Sequence, residues 1–349
     1  TGTICAHNCM TKCMRNYYDE PVNIRATKLV AAERGYDDYM AKIKAPVPVT
    51  DGRKVAVIGG GPTGMAAAYF VGRAGIPVTI FERSGVLGGV VRQVIPAFRI
   101  SDDAIDHDVA LMFKMGVEVK LNTEAPSVAE LKAQGYTHIF FAVGAWKAGR
   151  LDIPGNVVPV IGWLKDMKAG KDVSLGHVAV VGGGNTAMDA ARAALRAGAK
   201  SSTLVYRRTK KYMPADAEEL EMAIADGVEF LELVAPVEQK DGKLVCEKMK
   251  LGDPDEKGRR KPVPTGEMVE IPCDTVVSAV GEKVESEVFT RNGITVDEKG
   301  IPDFKTNLEG VYAGGDAMRG PATVVEGIAD AQYFANAVIG EAHKFAIPG

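Results

Sequence analysis

The sequence predicts an α/β protein with two Rossmann-type (three-layer ββα/βαβ) nucleotide-binding domains, because one strand–helix–strand pattern occurs in it twice. In the first copy, the apolar run at 55–58 precedes a glycine-rich loop, an alanine-rich helix and a second strand that ends at Glu82. The second copy begins near Gly176, and its segment VAVVGGGNTAMDAA repeats VAVIGGGPTGMAAA of the first. Short continuous apolar runs of this kind are typical of parallel strands buried on both faces.

Composition limits the classes to which this chain can belong. Its 349 residues are 46% hydrophobic and 25% charged, which is ordinary for a globular protein of two domains. The net charge of −3 favours neither nucleic acid nor an anionic membrane as a partner. The sequence has no apolar run of the roughly 18–20 residues that a membrane helix requires, and no signal peptide is visible. We expect a cytoplasmic protein that contacts neither nucleic acid nor membrane.

Residues 1–50 are expected to form a short helical segment and a linker. Residues 23–43 place apolar side chains at helical spacing, among them Ile24, Leu29 and Val30. The run KAPVPVTDG follows, and its prolines and glycine mark a domain boundary. The helix is therefore expected to precede the first nucleotide-binding unit.

Three of the five cysteines, Cys5, Cys9 and Cys13, fall within nine residues of one another. An odd count and such close spacing argue against a disulfide framework, and they fit a reducing compartment and a metal-binding role better. The alternative is three unrelated thiols on a helix. Cys246 and Cys273 are isolated in the sequence. The three clustered cysteines are therefore the candidate metal ligands.

The first glycine-rich loop has the spacing Gly59-x-Gly61-x-x-Gly64. The first glycine allows a tight turn, the second lets backbone N–H groups approach a pyrophosphate, and the third permits close helix–strand packing. The N-terminus of the following helix favours an anion. Glu82, after the next strand, is placed to accept hydrogen bonds from a ribose diol and to repel a 2′-phosphate. The candidate binding residues here are Gly59, Gly61, Pro62, Thr63, Gly64, Glu82 and Arg83.

The second loop has the variant spacing Gly182-x-Gly184-x-x-Ala187. Its second strand, STLVYRRT, ends without a carboxylate and contains Arg207 and Arg208. Guanidinium groups bind phosphate through charge-assisted, often bidentate hydrogen bonds. This contrast with the first unit predicts NADPH rather than NADH in the second, the alternative being a solvated basic turn.

The remaining segments are assigned from their residue patterns. Residues 101–115 predict an amphipathic helix capped by Ser101, whereas VEVKLNTE and HIFFAVGA predict strands. Residues 228–277 are expected to be rich in strands, with the charged turn DPDEKGRRK between two of them. Near the end, YAGGDA predicts a strand and a turn at Asp316, and a helix is expected to open near Thr323.

Several catalytic motifs are missing from the sequence. No C-x-x-C follows the first unit, so a dithiol of the thioredoxin reductase type is not expected. Histidines and cysteines do not cluster at zinc spacing, and no G-x-S-x-G nucleophile motif occurs. The pattern indicates machinery for redox cofactors, and we predict no catalytic acid or base.

Taken together, these motifs resemble one family, the small (beta) subunit of glutamate synthase and its relatives, which include the flavin module of dihydropyrimidine dehydrogenase. The resemblance covers nearly all of the chain. It rests on the segments TGTICAHNCMTKC, VIGGGPTGMAAA, GGVVRQVIPAFRI, VVGGGNTAMDAARAA, VYRR and YAGGDA with the later TVVEGI. The first of these looks most like the selenate reductase flavoprotein subunit.

The resemblance implies that the second domain is inserted in the first. FAD would bind in residues 51–145 and 281–349, and NADPH in residues 146–280. The flavin contacts implied are Gly88, Gly89, Arg99, Gly144, Gly315, Asp316, Thr323 and Val324. The NADPH contacts implied are Gly184, Asn185, Thr186, Arg207 and Arg208, with Gly281 near the domain junction.

Two of these implied roles concern the end of the chain. Asp316 would bond the ribityl chain or the pyrophosphate of FAD. Thr323 and Val324 would bring a helix N-terminus to the flavin ring. By resemblance, the turn and the following helix therefore form part of the flavin site.

The family also has an N-terminal domain with two [4Fe–4S] clusters. Residues 1–50 would be the C-terminal remnant of that domain with a linker. Cys5, Cys9 and Cys13 match only its last cysteine group, whereas each cluster normally needs four ligands. The resemblance implies clusters only if a longer chain supplies the upstream cysteines, and we expect this chain to be a piece of a longer protein.

The function expected is electron transfer from NADPH through FAD to iron–sulfur centres or to an acceptor domain or subunit. One alternative is a stand-alone NAD(P)H flavin or quinone reductase or oxidase. An alternative from another class is a cofactor-binding assembly module without turnover of its own.

Overall fold

The computed structural model describes residues 2–173, 175–256, 258 and 260–340. These residues divide into two compact units. The first unit contains the chain up to Arg92, then Ala97–Ala145, and resumes at Val284. The second contains Gln93–Pro96 and Trp146–Lys283. Along the chain, the second unit is therefore an insertion in the first.

Helices alternate with strands through most of both units. The helices are α1 (Asn8–Thr11), α2 (Ile24–Lys42), α3 (Pro62–Arg73), α4 (Gly89–Gln93), α5 (Asp102–Lys114), α6 (Val128–Ala133), α7 (Val160–Lys168), α8 (Asn185–Arg196), α9 (Ala217–Ala225), α10 (Glu287–Thr290), α11 (Asp316–Arg319) and α12 (Val324–Ile339), with 3₁₀ turns at Met14–Tyr17 and Lys210–Tyr212. Within the described ranges, none of them combines the length and the apolar character that crossing a membrane requires.

The strands, in chain order, are β1 (Val55–Ile58), β2 (Val78–Phe81), β3 (Glu118–Lys120), β4 (His138–Phe141), β5 (Lys147–Ala148), β6 (Val157–Pro159), β7 (His177–Val181), β8 (Ser201–Tyr206), β9 (Glu229–Glu232), β10 (Val234–Lys240), β11 (Lys243–Pro254), β12 (Arg260–Pro272), β13 (Thr275–Ser278), β14 (Glu282–Lys283) and β15 (Val311–Ala313). The region predicted to be rich in strands, 228–277, accordingly contains β9 to β13.

The first unit is built on a parallel sheet with the strand order β15-β4-β1-β2-β3. The central strand β1 is buried along its whole length. Val55 and Val57 belong to the apolar core that α3 and α12 cover, whereas Ala56 and Ile58 belong to the core on the other face. Since side chains alternate across a strand, one short apolar run fills both cores. The sheet is thus the middle of three layers.

The second unit repeats this plan with the parallel order β6-β13-β7-β8-β9. The alanine-rich helix α8 packs on β7 and β8. A separate antiparallel sheet has the order β10-β11-β12, and β11 and β12 pair on either side of the segment predicted as a charged turn. Each unit thus has a parallel sheet, a glycine-rich loop and helices that alternate with the strands, which confirms the predicted fold class.

Helix α2 lies against the first unit through aromatic and polar contacts rather than a buried apolar stripe. No residue of α2 is buried, although Ile24, Leu29 and Val30 have the helical spacing that predicted it. The ring of Tyr36 stacks on His107 of α5 with 4.1 Å between centroids, and its hydroxyl donates to the His107 carbonyl at 3.2 Å. The N-terminal helix is therefore confirmed as a helix, and it belongs to the first unit.

Two local predictions differ in detail from the structure. The strand predicted over VEVKLNTE is shortened to β3, because Asn122 turns the chain with a φ of 50°. The turn at Asp316 leads into the short helix α11, which Gly320 ends before α12 begins. The predicted helix over 101–115 is confirmed as α5, and Ser101 Oγ caps it by accepting from the Ala104 N–H.

Candidate functional site

The first glycine-rich loop joins β1 to α3 at the carboxyl end of the sheet. Gly59 has a φ of +104°, and a β-carbon there would overlap the carbonyl oxygen of Ala142. A β-carbon on Gly64 would overlap the Gly59 carbonyl and lie 3.2 Å from Val57 Cγ1. The first glycine therefore serves the turn and the third serves helix–strand packing, as the spacing predicts.

The N-terminus of α3 offers a place for an anion. Gly61 is the N-cap residue and Pro62 is the first residue of the helix, and no side chain in the described chain caps this end. Because Pro62 has no N–H, the first-turn donors without an intrahelical partner begin with Thr63 and Gly64. A glycine cradle with free N–H groups at a helix N-terminus fits the pyrophosphate of a dinucleotide.

A second glycine pair, Gly88 and Gly89, lies directly against this loop. The Gly88 N–H donates to the Gly60 carbonyl at 2.8 Å. A β-carbon on Gly89 would stand only 2.9 Å from Gly61 Cα. The two loops therefore pack backbone against backbone, and together they form one edge of the candidate site.

Glu82 follows β2 and is almost completely buried, with 6% of its surface exposed. One carboxylate oxygen accepts from the Gly60 N–H at 2.6 Å and the other from the Ser84 N–H at 2.7 Å. Each carboxylate oxygen has a second lone pair, so these bonds leave acceptor capacity for a ribose diol. The neighbouring Arg83 is about half exposed and pairs with Glu285 at 3.1 Å.

Sequence reasoning missed Arg92, which lies inside the segment GGVVRQVIPAFRI. Its Nε donates to the Leu87 carbonyl at 2.7 Å, and its guanidinium pairs with Asp102 and Asp106 of α5. Arg92 thus ties the Gly88 loop to α5. The available signal was Arg92 itself, one of two arginines in a mainly apolar motif. Arg99, which the resemblance places in the site, is partly buried in the same segment.

The turn after β15 holds the next set of predicted residues. Gly315 has a φ of +65° and precedes α11, whose first residue, Asp316, accepts from the Ala322 N–H at 3.1 Å. A β-carbon on Gly315 would overlap Thr63 Oγ1, so this turn contacts the helix of the first loop. Gly144 lies three residues after the end of β4, the strand that pairs with β15.

Helix α12 begins with a capping box. Thr323 Oγ1 accepts from the Glu326 N–H at 3.3 Å, and the Glu326 carboxylate accepts from the Thr323 N–H at 2.9 Å. Hydrogen bonds from the Thr323 hydroxyl and backbone lower the pKa of Glu326 below its usual value. The helix predicted near Thr323 therefore opens at Val324.

The second loop joins β7 to α8 in the second unit. A β-carbon on Gly182 would overlap the Ala279 carbonyl oxygen, whereas one on Gly184 would meet no atom within 4 Å. Gly184 is the N-cap of α8, without a side-chain cap in the described chain. Asn185 Oδ1 accepts from the Asp216 N–H at 3.0 Å, and Thr186 follows in the first turn. This N-terminus is the counterpart of the first one.

Two arginines follow β8, where the first unit has its carboxylate. Arg207 is exposed, and Arg208 is partly buried with its Nε 3.4 Å from the Arg260 carbonyl. Two positive charges at this position match a phosphate better than a ribose diol. Gly281, predicted near the domain junction, is exposed and accepts from the Gly149 N–H at 2.6 Å through its carbonyl.

The clustered cysteines lie in and beside α1. The ammonium of Lys28 lies 3.3 Å from Cys5 Sγ. Burial raises the pKa of the Cys5 thiol, but hydrogen bonds from the His7 backbone and from Lys28 outweigh it, so the net shift is downward. Backbone hydrogen bonds from Val22 and Arg15 lower the pKa of Cys13. Among the described residues, no three histidine, cysteine or acidic side chains are grouped to hold a metal ion.

A cleft of about 510 Å³ opens at the opposite edge of the first sheet. It lies at the amino ends of β4 and β15 and is lined by Lys132, Tyr136, Thr137, His138, Lys305, Glu309, Gly310 and Tyr312. None of the predicted site residues lines it. The glycine-rich loops lie at the carboxyl ends of the strands, where open α/β sheets bind their ligands.

Comparison with known proteins places the chain among oxidoreductases. The family model described as pyridine nucleotide-disulphide oxidoreductase matches residues 53–331. The chain is 42% identical to the protein YgfK of Escherichia coli (strain K12), whose name assigns it to the oxidoreductases, over 97% of this chain and 34% of that protein. It is 31% identical to the glutamate synthase [NADPH] small chain of the same strain, over 88% of this chain and 72% of the relative.

A similar fold occurs in the solved structure of Mycobacterium tuberculosis FprA in complex with NADPH, with a TM-score of 0.68 and 21% identity over 82% of this chain and 84% of that one. Fold and loops together define an oxidoreductase of the class with two Rossmann-type domains. The chain belongs to the pyridine nucleotide-disulphide oxidoreductase family and, within it, to the relatives of the glutamate synthase small chain, as the resemblance predicted. It spans about a third of the length of YgfK.

Proposed function

We propose that this chain is a flavin-dependent NADPH oxidoreductase module in which the first unit binds FAD, the second binds NADPH, and electrons pass on to an acceptor domain or subunit. One contrast carries the proposal. After its second strand, the first unit has the buried carboxylate of Glu82, whereas the second unit has the pair Arg207 and Arg208. The adenosine of FAD has a free ribose diol, whereas that of NADPH has a 2′-phosphate, and these groups require opposite charges.

In the first unit, the chain's own residues bind and orient FAD. The Gly59 loop and the N-terminus of α3 would hold the pyrophosphate, since the atom nearest to a β-carbon on Gly61, Gly89 Cα, would lie 3.9 Å away and the loop is open on that side. Glu82 would accept from the adenosine ribose, and Asp316 with the α12 N-terminus would meet the flavin half. When bound, FAD accepts a hydride and can release its electrons singly.

In the second unit, α8 and the arginine pair would select the nucleotide. Asn185 and Thr186 lie in the first turn of α8, where backbone N–H groups without intrahelical partners would point at a bound anion. Arg207 and Arg208 would bind the 2′-phosphate of NADPH. We assign the chain no catalytic acid, because hydride transfer needs alignment of two rings rather than proton transfer by a side chain.

The proposal assigns no step to an iron–sulfur cluster held by this chain alone. Cys5, Cys9 and Cys13 supply three thiols, whereas a cluster normally needs four, and the described residues form no metal-binding group. The acceptor is proposed as iron–sulfur centres whose further ligands a longer chain would supply, or as a separate domain or subunit, in keeping with a relative that is named as a small chain. The five free thiols support a reducing, cytoplasmic location.

Steady-state oxidation of NADPH with ferricyanide as acceptor tests the proposal. A protein that contains FAD and turns over with ferricyanide, but slowly with oxygen and quinones, supports a module that feeds a partner. Fast turnover with oxygen or a quinone supports the stand-alone reductase instead. FAD binding without any turnover supports the assembly module, and a folded protein that takes up no FAD contradicts the proposal.

A further inference from the structure

Asp330 is a carboxylate that the proposed binding scheme does not use. It lies in the second turn of α12 and exposes only 1% of its surface. Burial of an unpaired carboxylate costs several kcal/mol, so such a group persists only when it is paired and hydrogen-bonded. Its partners therefore show what it holds.

Both carboxylate oxygens of Asp330 have donors. Oδ2 accepts from the Gly315 N–H at 2.9 Å and from Arg319 Nε at 2.8 Å, and Oδ1 accepts from Arg319 Nη2 at 2.5 Å. The contact with Arg319 is a bidentate ion pair, the strongest arrangement for these groups. Hydrogen bonding to Asp330 correspondingly raises the pKa of Arg319.

The two partners bracket α11. Gly315 is the N-cap residue of α11 and Arg319 is its last residue, so one side chain of α12 holds both ends of the segment that begins with Asp316. Gly315 has φ +65° and ψ −151°, a conformation that is open essentially to glycine alone. Arg319 is joined to α12 through its side chain alone in this network.

The same turn packs against the first glycine-rich loop. A β-carbon on Gly315 or on Gly327 of α12 would overlap Thr63 Oγ1. The turn, α12 and the helix of the first loop therefore meet at one point, and the Asp330 network is the polar part of that junction. Movement of Gly315 would displace Asp316 relative to α3.

We propose that Asp330 is a positioning residue for FAD, which acts through Gly315 and Arg319 to fix the turn at Asp316 without contacting the cofactor itself. The inference rests on the proposed FAD site in the first unit. In a merely structural role, Asp330 would contribute to the stability of the apoprotein, and its substitution would change FAD affinity only in proportion to the stability lost. As a positioning residue, it changes FAD affinity and the environment of the flavin beyond any change in stability.

The second unit supplies a matched control. Arg192, which is also buried, pairs with Asp226 at 2.9 Å and with Glu219 at 3.7 Å, and thereby joins α8 to α9. Arg192→Met removes a buried charged network of similar kind in a unit that is not proposed to bind FAD. It is expected to lower the free energy of unfolding while leaving FAD affinity unchanged.

The experiment compares the parent, Asp330→Asn, Arg319→Lys and Arg192→Met as full chains. The apoproteins are prepared, and their unfolding in urea is measured. The FAD Kd is measured by quenching of flavin fluorescence, with visible circular dichroism of the bound flavin as a second readout.

The substitutions differ in what they remove. An asparagine side chain at position 330 can still accept from the Gly315 N–H but cannot form the ion pair with Arg319. The free energy of the lost charged hydrogen bonding sets the limit of what FAD binding must then supply to order the turn, so the FAD Kd is expected to rise by up to about 150-fold, with an altered flavin spectrum. Arg319→Lys keeps the charge but loses the fork, so its Kd is expected to rise less.

The outcomes separate the two hypotheses. A folded parent that binds no FAD contradicts the proposed function. A parent that binds FAD, with an unchanged Kd and spectrum in both variants at the turn, overturns the role of Asp330. The role of Asp330 is also overturned if the FAD Kd of the two variants at the turn rises only in proportion to their lost apoprotein stability. An equal rise of the FAD Kd in Arg192→Met overturns it as well. If Asp330→Asn does not fold, the milder Arg319→Lys decides by the same criteria.

Discussion

The hydroxyl of Thr63 occupies the space that a side chain on Gly315 would need. A β-carbon on Gly315 would overlap Thr63 Oγ1 and lie 3.0 Å from Thr63 Cβ, although the two residues are far apart in the sequence. Thr63 is in the first turn of α3, and Gly315 precedes α11. This contact joins the loop proposed for the pyrophosphate to the turn proposed for the flavin.

We therefore expect Gly315→Ala to lower both stability and FAD affinity. The left-handed φ of Gly315 costs a side chain about 1–3 kcal/mol, and the overlap with Thr63 adds a packing cost of similar size. Gly320→Ala is the control, because Gly320 also has a positive φ but open space around its β-position. Urea unfolding and FAD titration of both variants test this. Equal losses in the two variants would contradict a specific contact with Thr63.

The next prediction concerns Glu82. Release of the flavin by denaturation should yield FAD rather than FMN, and Glu82→Gln should weaken its binding. The amide of the substituted side chain has only one acceptor oxygen, and the N–H groups of Gly60 and Ser84 already require two, so a hydrogen bond to the ribose diol is lost at a cost of about 1.5–3 kcal/mol. Chromatography of the released cofactor and an FAD titration measure both effects. Release of FMN alone would show that the first loop has been misinterpreted.

The arginine pair predicts a preference for NADPH over NADH. Loss of one hydrogen bond to the 2′-phosphate costs about 1.5–3 kcal/mol, so Arg207→Ala or Arg208→Ala should lower kcat/KM for NADPH about 10- to 150-fold and change that for NADH much less. Arg150→Ala is the control, since Arg150 is exposed in the same unit and forms an ion pair with the nearby Asp152. If the parent favours NADH, or if the ratio of kcat/KM for NADPH to that for NADH is unchanged in both variants, the two arginines lie in a solvated turn and do not bind the 2′-phosphate.

Acid stability should depend on the network at Asp226. Hydrogen bonding to Arg192 is the main cause that holds the pKa of Asp226 below its usual 3.8, and Arg196 adds to it. A carboxylate with a lowered folded pKa stabilises the fold above its unfolded pKa, and that contribution is lost as the pH falls through the folded value. Relative to the parent, Asp226→Asn should therefore be less stable above about pH 5, and the difference should shrink below about pH 4. Urea unfolding from pH 7 to pH 3 measures this. A difference that stays constant with pH contradicts the prediction.

Iron content tests the interpretation of the three clustered cysteines. Since four ligands are normally needed for each cluster, we expect far fewer than about four irons in this chain on its own. Colorimetric iron analysis and electron paramagnetic resonance after reduction measure it. A reconstituted chain with about four irons and a cluster signal would show that Cys5, Cys9 and Cys13 find a fourth ligand.

Much of the fold and of the candidate loops could be predicted because their signals are local. Gly59 and Gly64 occur at the spacing that a strand–turn–helix crossing requires, and the structure gives each of them the close contact that excludes a side chain. The positions of Glu82, Arg207 and Arg208 after the second strand of each unit could be predicted in the same way, since the end of that strand is a short distance along the chain from the loop. Ser101 likewise caps the helix that its own neighbours form.

Tertiary structure alone decided which distant groups brace those loops. Asp330 lies within an apolar helical pattern that gives no sign of its bonds to Gly315 and Arg319, and Tyr36 of α2 faces His107, 71 residues away. The physical reason is that a helical or strand period fixes only which face a residue shares with its near neighbours. The partner of a buried charge depends on how separate elements pack, and burial then makes that partner obligatory.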